Sequence, residues 1–384
     1  MSVGVDLPEQ ALPRWRRAVL KVGSNLLAAD GDGLTPRFAK ALAAFIAASH
    51  ADGRQVVLVS SGAVAAGRAQ LRERTATGSA LAARQALAAL GQAPMIALWQ
   101  SLSARPVAQV LLTHDDLRNR RRYLNARATL RELLALDVLT VVNENDTVAV
   151  DELKLGDNDN LAAIVAALVD ADLLLIASDV DALYSADPRL DPAARPISDV
   201  PELTPQIMAM AGGSGSTVGT GGMRTKLEAA SKAAAAGIAT ALFNGRSEAT
   251  VQALEQGRLR GTLIHTGRSR MQARKYWLRH APAGSGCICV DAGAAKALNG
   301  GRASLLPGGI TDVAGEFNRG DMVEIISADS ASIARGISQY GAAEVRRLAG
   351  CHSRDIEARL GYSYGDEVIH RDDLVRLTDT ETLA

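Results

Sequence analysis

The sequence predicts an α/β fold, in which helices sandwich a mostly parallel sheet, followed by a small β-rich domain. In the first part of the chain, short apolar runs end in turn or polar residues, and long Ala- and Leu-rich stretches separate these runs. This alternation of strand and helix is typical of a parallel sheet. Near residues 267–286 the chain becomes basic and then rich in Pro, Gly and Ser, and short strand patterns with Gly-bearing turns follow. That change predicts a linker and a second domain.

The predicted elements are short buried strands with longer helices between them. The sheet strands are "AVLKVG" (18–23), "QVVLVSS" (55–61), "VLTVVNEN" (138–145), "LLLIASD" (173–179) and "ATALFNG" (239–245). The helical stretches include 36–51, 80–104 and 121–136. The second domain has the strand candidates "CICVD", "ASLLP", "GITDVAG", "DMVEIIS" and "SIARGIS". Ligands of parallel α/β sheets bind beyond the carboxyl ends of the strands, so polar residues at those ends are the first functional candidates.

Length and composition narrow the class of protein. The chain has 384 residues, which at roughly 150 residues per domain favours two domains. Lys and Arg number 42, equal to Asp and Glu at 42, and aromatic residues make up 3%. This balance argues against a protein whose main role is to bind a nucleic acid. The N-terminus lacks the apolar core of a signal peptide, and no uninterrupted apolar run approaches about 18 residues, so we expect a cytoplasmic protein without a membrane segment.

The three cysteines, Cys287, Cys289 and Cys351, are too few for a disulfide framework in a chain of this length. Cys287 and Cys289 lack the second ligand pair that a zinc site requires. Because they lie two residues apart in a predicted strand, both should point to one face of it. We expect them to be buried, reduced thiols.

The first predicted strand contains a lysine, Lys21, two residues before Gly23-Ser24. A lysine inside an apolar strand needs a partner, which is either a carboxylate in a structural ion pair or an anionic ligand across the glycine turn. The spacing alone favours neither interpretation.

The second predicted strand ends in Ser60-Ser61-Gly62 and leads into a helix of small residues. Small residues let a ligand approach the backbone, and the free N–H groups at a helix N-terminus suit a carboxylate or a phosphate. The alternative is that Ser60 or Ser61 only caps the helix. A serine-hydrolase site is excluded, because neither serine has glycine at both positions that the nucleophile elbow requires.

The third predicted strand ends in polar residues, which belong to the run "NEND" (143–146), and the segment "GDNDN" (156–160) lies shortly beyond it. A calcium loop is excluded, because Leu161 stands where Asp or Asn is required. The structural alternative for residues 157–160 is that they only begin the helix that follows.

The fourth predicted strand ends at Ser178-Asp179, and a Gly-rich segment (211–222) later leads into a helix with Arg224 and Lys226 in its first turn. Cations at that position oppose the helix dipole unless an anion comes between. A Gly-rich loop, a helix N-terminus and a lysine are the parts of a nucleotide-phosphate cradle, although neither the Walker template nor the dinucleotide fingerprint is matched. Two lysines, this loop and several Asp and Asn, with no His or Cys among them, favour phosphoryl transfer, which depends on positioning and charge neutralisation.

Six stretches of the sequence together resemble the glutamate 5-kinases of the amino-acid-kinase family. They are "KVGSNLL", "VSSGAVAAGR", "NENDTVAV", "LGDNDNLAA", "SDVDALYSADPR" and "GTGGMRTKLEAA". The tail, with "ASLLPGGI" and "FNRGDMVEI", resembles a PUA domain. The resemblance implies an amino-acid-kinase fold. It divides the chain into an N-terminal extension (1–15, a candidate for disorder), a catalytic domain (16–265), a linker (266–283), a PUA domain (284–370) and a C-terminal tail (371–384).

The resemblance also implies ATP-dependent phosphorylation of the γ-carboxylate of L-glutamate to L-glutamyl 5-phosphate, the first step of proline biosynthesis. Lys21 and Lys226 would contact the transferring phosphoryl group, and Asp159 would hold the two lysines in place. Glutamate would be bound by Ser61, Asp146 and Asn158, with Asp146 pairing with the substrate ammonium. The implied ATP-binding residues are Lys21, Ser178, Asp179, Thr220, Gly221, Gly222, Met223, Arg224, Thr225 and Lys226.

Further expectations concern cofactors and partners. Mg²⁺ would bridge the nucleotide phosphates, largely through phosphate and water oxygens, and no protein ligand is assigned to it. The family also implies proline as a feedback inhibitor at the glutamate pocket, glutamyl-phosphate reductase as a functional partner, and a homo-oligomer.

Two alternative functions are compatible with parts of the sequence. The first is a related kinase that acts on another acid or on UMP, against which "NEND" and "GDNDN" argue. The second is an RNA-binding protein, because PUA domains commonly bind RNA. Residues 274–384 contain 13 Lys+Arg and 15 Asp+Glu, and a negative segment with few aromatic residues is a poor candidate for RNA.

Overall fold

The computed structural model describes residues 7–28, 33–71, 80–149, 158–211, 222–267, 286–301 and 303–377, together with residues 269, 272, 273, 275 and 278. The chain divides into two compact units. The first comprises Met1–Asn119 and Asn125–Arg270, and the second comprises Arg120–Leu124 and Met271–Ala384. The division at residues 270 and 271 falls inside the segment predicted as a linker.

The first unit is built on a large sheet. Its strands and those of two small additional ladders are β1 (Gln10–Ala11), β2 (Arg17–Val22), β3 (Gln55–Ser60), β4 (Val107–Leu112), β5 (Leu139–Glu144), β6 (Leu173–Ser178), β7 (Leu183–Tyr184), β8 (Pro196–Ile197), β9 (Asp199–Val200), β10 (Ala239–Asn244), β11 (Arg258–Leu259) and β12 (Gly261–Ile264). The large sheet has eight strands in the order β4-β5-β3-β2-β6-β10-β12-β9. The pairs from β4 to β10 are parallel, and β12 runs antiparallel to β10. The predicted mostly parallel sheet is confirmed.

Helices cover both faces of this sheet. They are α1 (Ser24–Leu27), α2 (Ala39–Ala51), α3 (Ala63–Leu71), α4 (Ala80–Leu102), α5 (His114–Arg118), α6 (Arg120–Ala135), α7 (Asn158–Leu168), α8 (Pro205–Met210), α9 (Met223–Ala235) and α10 (Glu248–Glu255). Leu20 of β2 lies in one core cluster with Phe45 of α2 and Trp99 of α4. Lys21, the next residue of β2, faces the other side of the sheet, because successive side chains of a strand alternate. That side is covered by α7 and α9, which pack against each other.

The chain order explains where the site can form. After β5, which lies on one side of β2, the chain crosses to β6 on the other side, so the order of the strands reverses at the β2–β6 pair. Open α/β sheets bind ligands beyond the carboxyl ends of the strands at such a switch point. Lys21, near the end of β2, and Ser178, the last residue of β6, both lie at this edge.

The N-terminal extension takes part in the fold. Gln10–Ala11 pairs antiparallel with Arg258–Leu259, and Leu12 is 9% exposed and belongs to the core of the first unit. The carboxylate of Glu9 forms ion pairs with Arg258 and Arg260. The described part of the extension, residues 7–15, therefore packs against the sheet domain.

The second unit is β-rich, as predicted. Its strands are β13 (Gly286–Val290), β14 (Ile310–Gly315), β15 (Met322–Ile326), β16 (Ser332–Ile337) and β17 (Leu374–Arg376), and its helices are α11 (Ala292–Asn299), α12 (Ala342–Leu348) and α13 (Ile356–Leu360). The strand order is β14-β13-β15-β16-β17. The strand predicted at "ASLLP" is wrong. Only the bridge between Leu305 and Ile369 forms there, and a 3-10 turn at Pro307–Gly309 follows, because Pro307 has no N–H for a ladder.

The cysteines of β13 are not buried as expected. Gly286, Ile288 and Val290 face the core, so Cys287 and Cys289 lie on the opposite face and are half-exposed. The two thiols are free and share one face of the strand, as predicted. Cys351 is buried and free.

Candidate active site

The two predicted lysines meet on one buried carboxylate. Lys21 Nζ lies 2.6 Å from Oδ1 of Asp159, and Lys226 Nζ lies 3.1 Å from Oδ2 of the same side chain. Asp159 is 0% exposed, Lys21 4% and Lys226 7%. The ion pair answers the question that the sequence left open about Lys21: its partner in the structure is a carboxylate of α7. Both lysines remain at the carboxyl edge of the sheet, where an anionic ligand could also reach them.

Local structure brings these three groups together. Asp159 is the second residue of α7, which packs against β2, and Lys226 lies in the first turn of α9. Buried charges require partners, and the single carboxylate of Asp159 partly compensates the two ammonium groups. At the start of α9, Asp159 thus offsets part of the charge of Lys226, and Glu228 pairs with Arg224 at 3.0 Å.

A second cluster surrounds the side-chain amide of Asn158. Its Nδ2 lies 2.9 Å from Ser61 Oγ, 2.9 Å from Asn143 Oδ1 and 3.2 Å from the carbonyl oxygen of Ser60. An amide group has two hydrogens for these three oxygens. The cluster is therefore polar, partly buried and able to exchange hydrogen bonds with a ligand.

Backbone geometry fixes the position of Ser61. Gly62 has φ +103°, a conformation that side chains rarely adopt, and it turns the chain from β3 into α3. A Cβ at Gly62 would also lie 3.3 Å from Leu34 and 3.4 Å from Leu27. Behind this turn, the buried indole N–H of Trp99 donates to Ser60 Oγ at 2.9 Å.

Asp146, predicted to bind the substrate ammonium, lies in the turn after β5 and is half-buried. It follows the buried residues Asn143 and Glu144, with which β5 ends. Asp146 is therefore attached to the strand that presents Asn143 to Asn158.

The predicted ATP-binding residues lie at the ends of β6 and at the start of α9. Ser178 Oγ lies 3.4 Å from Oδ1 of Asp179, and Asp179 also contacts Asn25 Nδ2 at 3.0 Å and Arg246 at 3.8 Å. Met223, Arg224, Thr225 and Lys226 open α9, and Gly222 caps it without a side-chain hydrogen bond. Thr220 and Gly221 lie outside the described residues, as does most of the Gly-rich segment.

Several contacts of this site were not predicted. Asn143 belongs to the polar run "NEND", but the sequence does not indicate its hydrogen bond to Asn158. Asn25 and Arg246 were missed, although each follows the carboxyl end of a predicted strand, which is the signal that could have found them. The hydrogen bond from Thr225 Oγ1 to Asp159 Oδ2, at 3.1 Å, had no signal in the sequence.

Membrane-spanning helices and metal-binding clusters are both absent among the described residues. None of the described helices is both long and apolar enough to cross a membrane. In the same part of the chain, no group of three or more His, Cys, Asp or Glu side chains is arranged to hold a metal ion.

Two family models and several known proteins are similar to this chain. Residues 16–244 match the model of the Amino acid kinase family, and residues 286–360 match that of the PUA domain. A Glutamate 5-kinase from Xanthomonas euvesicatoria pv. vesicatoria (strain 85-10) is 70% identical over 362 residues, covering 94% of this chain and 100% of that protein. A Glutamate 5-kinase from Xylella fastidiosa (strain M12) is 67% identical over 374 residues, covering 96% and 97%.

A solved structure, the UMP kinase from Bacillus anthracis, is also similar, with a TM-score of 0.46 and 14% identity over 67% of this chain and 98% of that chain. The family match spans more than half of the chain, and the relatives extend over almost all of it. This chain belongs to the amino acid kinase family, and its C-terminal part is a PUA domain.

Proposed function

We propose that this chain transfers the γ-phosphoryl group of ATP to the γ-carboxylate of L-glutamate, giving L-glutamyl 5-phosphate and ADP. The observation that carries the proposal is the buried cluster of Lys21, Asp159 and Lys226 at the carboxyl edge of the sheet. The relatives named Glutamate 5-kinase support the choice of substrate, because they align with nearly the whole chain.

The reaction needs little covalent help from the protein. A glutamate carboxylate is ionised at neutral pH, so its oxygen attacks the γ-phosphorus without a general base. The bond between this phosphorus and the bridging oxygen of ADP then breaks, and ADP leaves with the electron pair. The obstacle is repulsion between the carboxylate and the triphosphate, so catalysis depends on positive groups placed where negative charge develops.

Lys21 and Lys226 would supply these groups. Their ammonium nitrogens are held on opposite oxygens of Asp159, which restricts both to a small region before a substrate arrives. Preorganised charges need no rearrangement during the reaction, and their effect is greatest where water is excluded. Asp159 is thus proposed to position the lysines and not to react itself.

Glutamate would bind beside Asn158, the first residue of α7. The amide of Asn158 and the hydroxyl of Ser61 are neutral donors that can face an anionic substrate without repulsion. Asp146 would pair with the substrate ammonium and so select an amino acid. Ser178, Asp179 and the segment Thr220 to Lys226 would contact ATP. Mg²⁺, when bound with the nucleotide, would neutralise its phosphate oxygens.

The finer functional expectations are proposals as well. Proline would inhibit by competing for the pocket of Asn158 and Asp146. The acyl phosphate product is reactive, so a glutamyl-phosphate reductase is the partner expected to consume it. We further propose a cytoplasmic homo-oligomer and the domain boundaries inferred from the sequence.

The test measures ADP release from ATP with each acceptor, and hydroxylamine traps the acyl phosphate that glutamate is expected to give. Glutamate, aspartate, N-acetylglutamate, carbamate and UMP would be compared as acceptors at the same concentration. We expect glutamate to be the best acceptor by at least tenfold in kcat/KM, since a site built for its polar groups rejects analogues lacking them. If glutamate were no better than the others, the proposed substrate would be wrong.

A further inference from the structure

The hydroxyl of Thr225 contacts the carboxylate that joins the two lysines. Thr225 Oγ1 lies 3.1 Å from Asp159 Oδ2, the oxygen that also receives Lys226 Nζ at 3.1 Å. The same hydroxyl lies 2.8 Å from the carbonyl oxygen of Gly222. A threonine hydroxyl has one proton, so it donates to only one of these oxygens at a time.

The Thr225 hydroxyl can readily exchange one acceptor, the Gly222 carbonyl, for the other, Asp159 Oδ2. In the first turn of α9, the backbone N–H of Lys226 is 3.5 Å from that carbonyl, which is long for a helical hydrogen bond. Rotation of the Thr225 hydroxyl is enough to move its hydrogen bond between Gly222 and Asp159, and the helix need not shift.

A hydrogen bond from the Thr225 hydroxyl would stabilise the carboxylate of Asp159 during the proposed reaction. Its carboxylate is completely buried, so each hydrogen bond to it matters. If Lys226 Nζ also donates to the transferring phosphoryl group from its present position, its hold on Asp159 Oδ2 weakens. A second donor to that oxygen would keep the carboxylate from rotating.

We propose that Thr225 is a positioning residue, whose hydroxyl holds Asp159 Oδ2 in place while Lys226 engages the phosphoryl group. This inference rests on the proposed function and differs from the ATP-binding role that the family resemblance implies for Thr225. The hydroxyl of Thr225 acts through Asp159, whereas the contact of the segment Thr220 to Lys226 with ATP does not depend on that hydroxyl.

The two roles predict different kinetics for Thr225→Val, which keeps the shape of the side chain and removes the hydroxyl. If Thr225 positions Asp159, kcat falls roughly 10- to 100-fold, the usual range for losing a hydrogen bond to a charged group, while the KM for ATP changes less than about twofold. Thr225→Ser, which restores the hydroxyl, recovers most of the lost kcat. A raised KM for ATP with unchanged kcat would assign Thr225 to the nucleotide and overturn the proposal, as would unchanged kinetics.

A double-mutant cycle with Asp159→Asn gives a test that does not depend on the size of either effect. If Thr225 acts through Asp159, adding Thr225→Val to Asp159→Asn lowers kcat by less than about twofold more, since the two losses share one interaction. Independent, multiplying losses would contradict the proposal. Thermal unfolding of wild type, the two single variants and the double variant checks that each protein is folded.

The same series separates this inference from the proposed function. Turnover of wild-type protein with glutamate reports on the function, whereas the ratios between variants report on Thr225. Calorimetric titration of ATP into wild type and Thr225→Val needs no acceptor. Equal affinities are expected, and a tenfold weaker affinity in the variant would overturn the positioning role.

Discussion

Lys21 Nζ lies 2.6 Å from Asp159 Oδ1, and this contact joins the end of a central strand to the first turn of a helix. Both groups are almost completely buried. A buried pair of this kind is weak evidence for stability, since the desolvation of the charges offsets their attraction. Its position at the carboxyl edge of the sheet makes a functional role the better explanation.

Asp159→Asn tests whether the carboxylate has a role besides beginning α7. Asparagine keeps the shape and still suits a helix start, but it cannot balance two ammonium groups. We expect kcat to fall by a factor of about 10² or more, as when a charge-positioning group is lost. Asp52→Asn, on the surface beside Arg54, is the matched control. Turnover of Asp159→Asn close to wild type would reduce the role of Asp159 to helix capping.

Lys226→Met keeps a long side chain and removes its charge. Because Lys226 is proposed to act on charge that develops in the transition state, kcat should fall by a factor of about 10² or more, with a small change in the KM for glutamate. Lys40→Met, at an exposed position of α2, is the control. Steady-state kinetics decide: near-normal kcat in a folded Lys226→Met protein would remove this residue from the catalytic group.

Asp146→Asn should mainly affect substrate binding. Loss of an ion pair with the ammonium is expected to raise the KM for glutamate about tenfold or more, while kcat stays within a few-fold. Glutarate, which has both carboxylates and no amine, provides the control, because its binding should be insensitive to the substitution. An unchanged KM for glutamate would refute the pairing of Asp146 with the ammonium.

His50 should make the stability of the protein depend on pH. Burial, and secondarily the nearby Arg105, lower the pKa of His50 from its ordinary 6.5, against the opposing effect of Asp137. The folded state thus disfavours the charged imidazole, and the stability this provides is complete above about pH 6.5 and is lost as the pH falls towards the folded pKa. The melting temperature should therefore fall on acidification below about pH 6.5.

His50→Gln gives the comparison for this effect. The variant has no titrating group at this position, so its melting temperature should change less than that of wild type between about pH 7 and pH 5. Parallel curves for the two proteins would show that His50 does not contribute to the pH dependence.

The parallel sheet could be predicted because its central strands are short, continuous apolar runs with polar ends. β2, β3, β5, β6 and β10 are confirmed within one residue at each end. The strand β4 was missed because it lies at the edge of the sheet and is only partly buried, so "VAQVLL" gives no clear pattern. The exposure of the two cysteines of β13 could not be predicted either. The alternation of a strand shows which residues share a face, but it does not show which face is covered.

The site was only partly predictable from the residues themselves. Lysines, Asp and Asn at strand ends indicated phosphoryl transfer, but the roles of Asp159, Ser61 and Asn158 came from the family resemblance. The contacts of Thr225 with Asp159 and of Arg246 with Asp179 depend on how α9 and the end of β10 approach other elements. No local spacing encodes such approaches, because the partners are distant in the sequence.

The hydrogen bond from Trp99 to Ser60 gives the protein an internal optical reporter. The indole is completely shielded from water and donates to a serine whose carbonyl oxygen lies within 3.2 Å of the Asn158 amide. A ligand that draws this amide away from Ser60 would change the polarity around the indole, and so its fluorescence emission. Glutamate would be titrated without ATP into wild type and Trp99→Phe. A shift in the emission wavelength that occurs only in wild type would report glutamate binding in the absence of turnover.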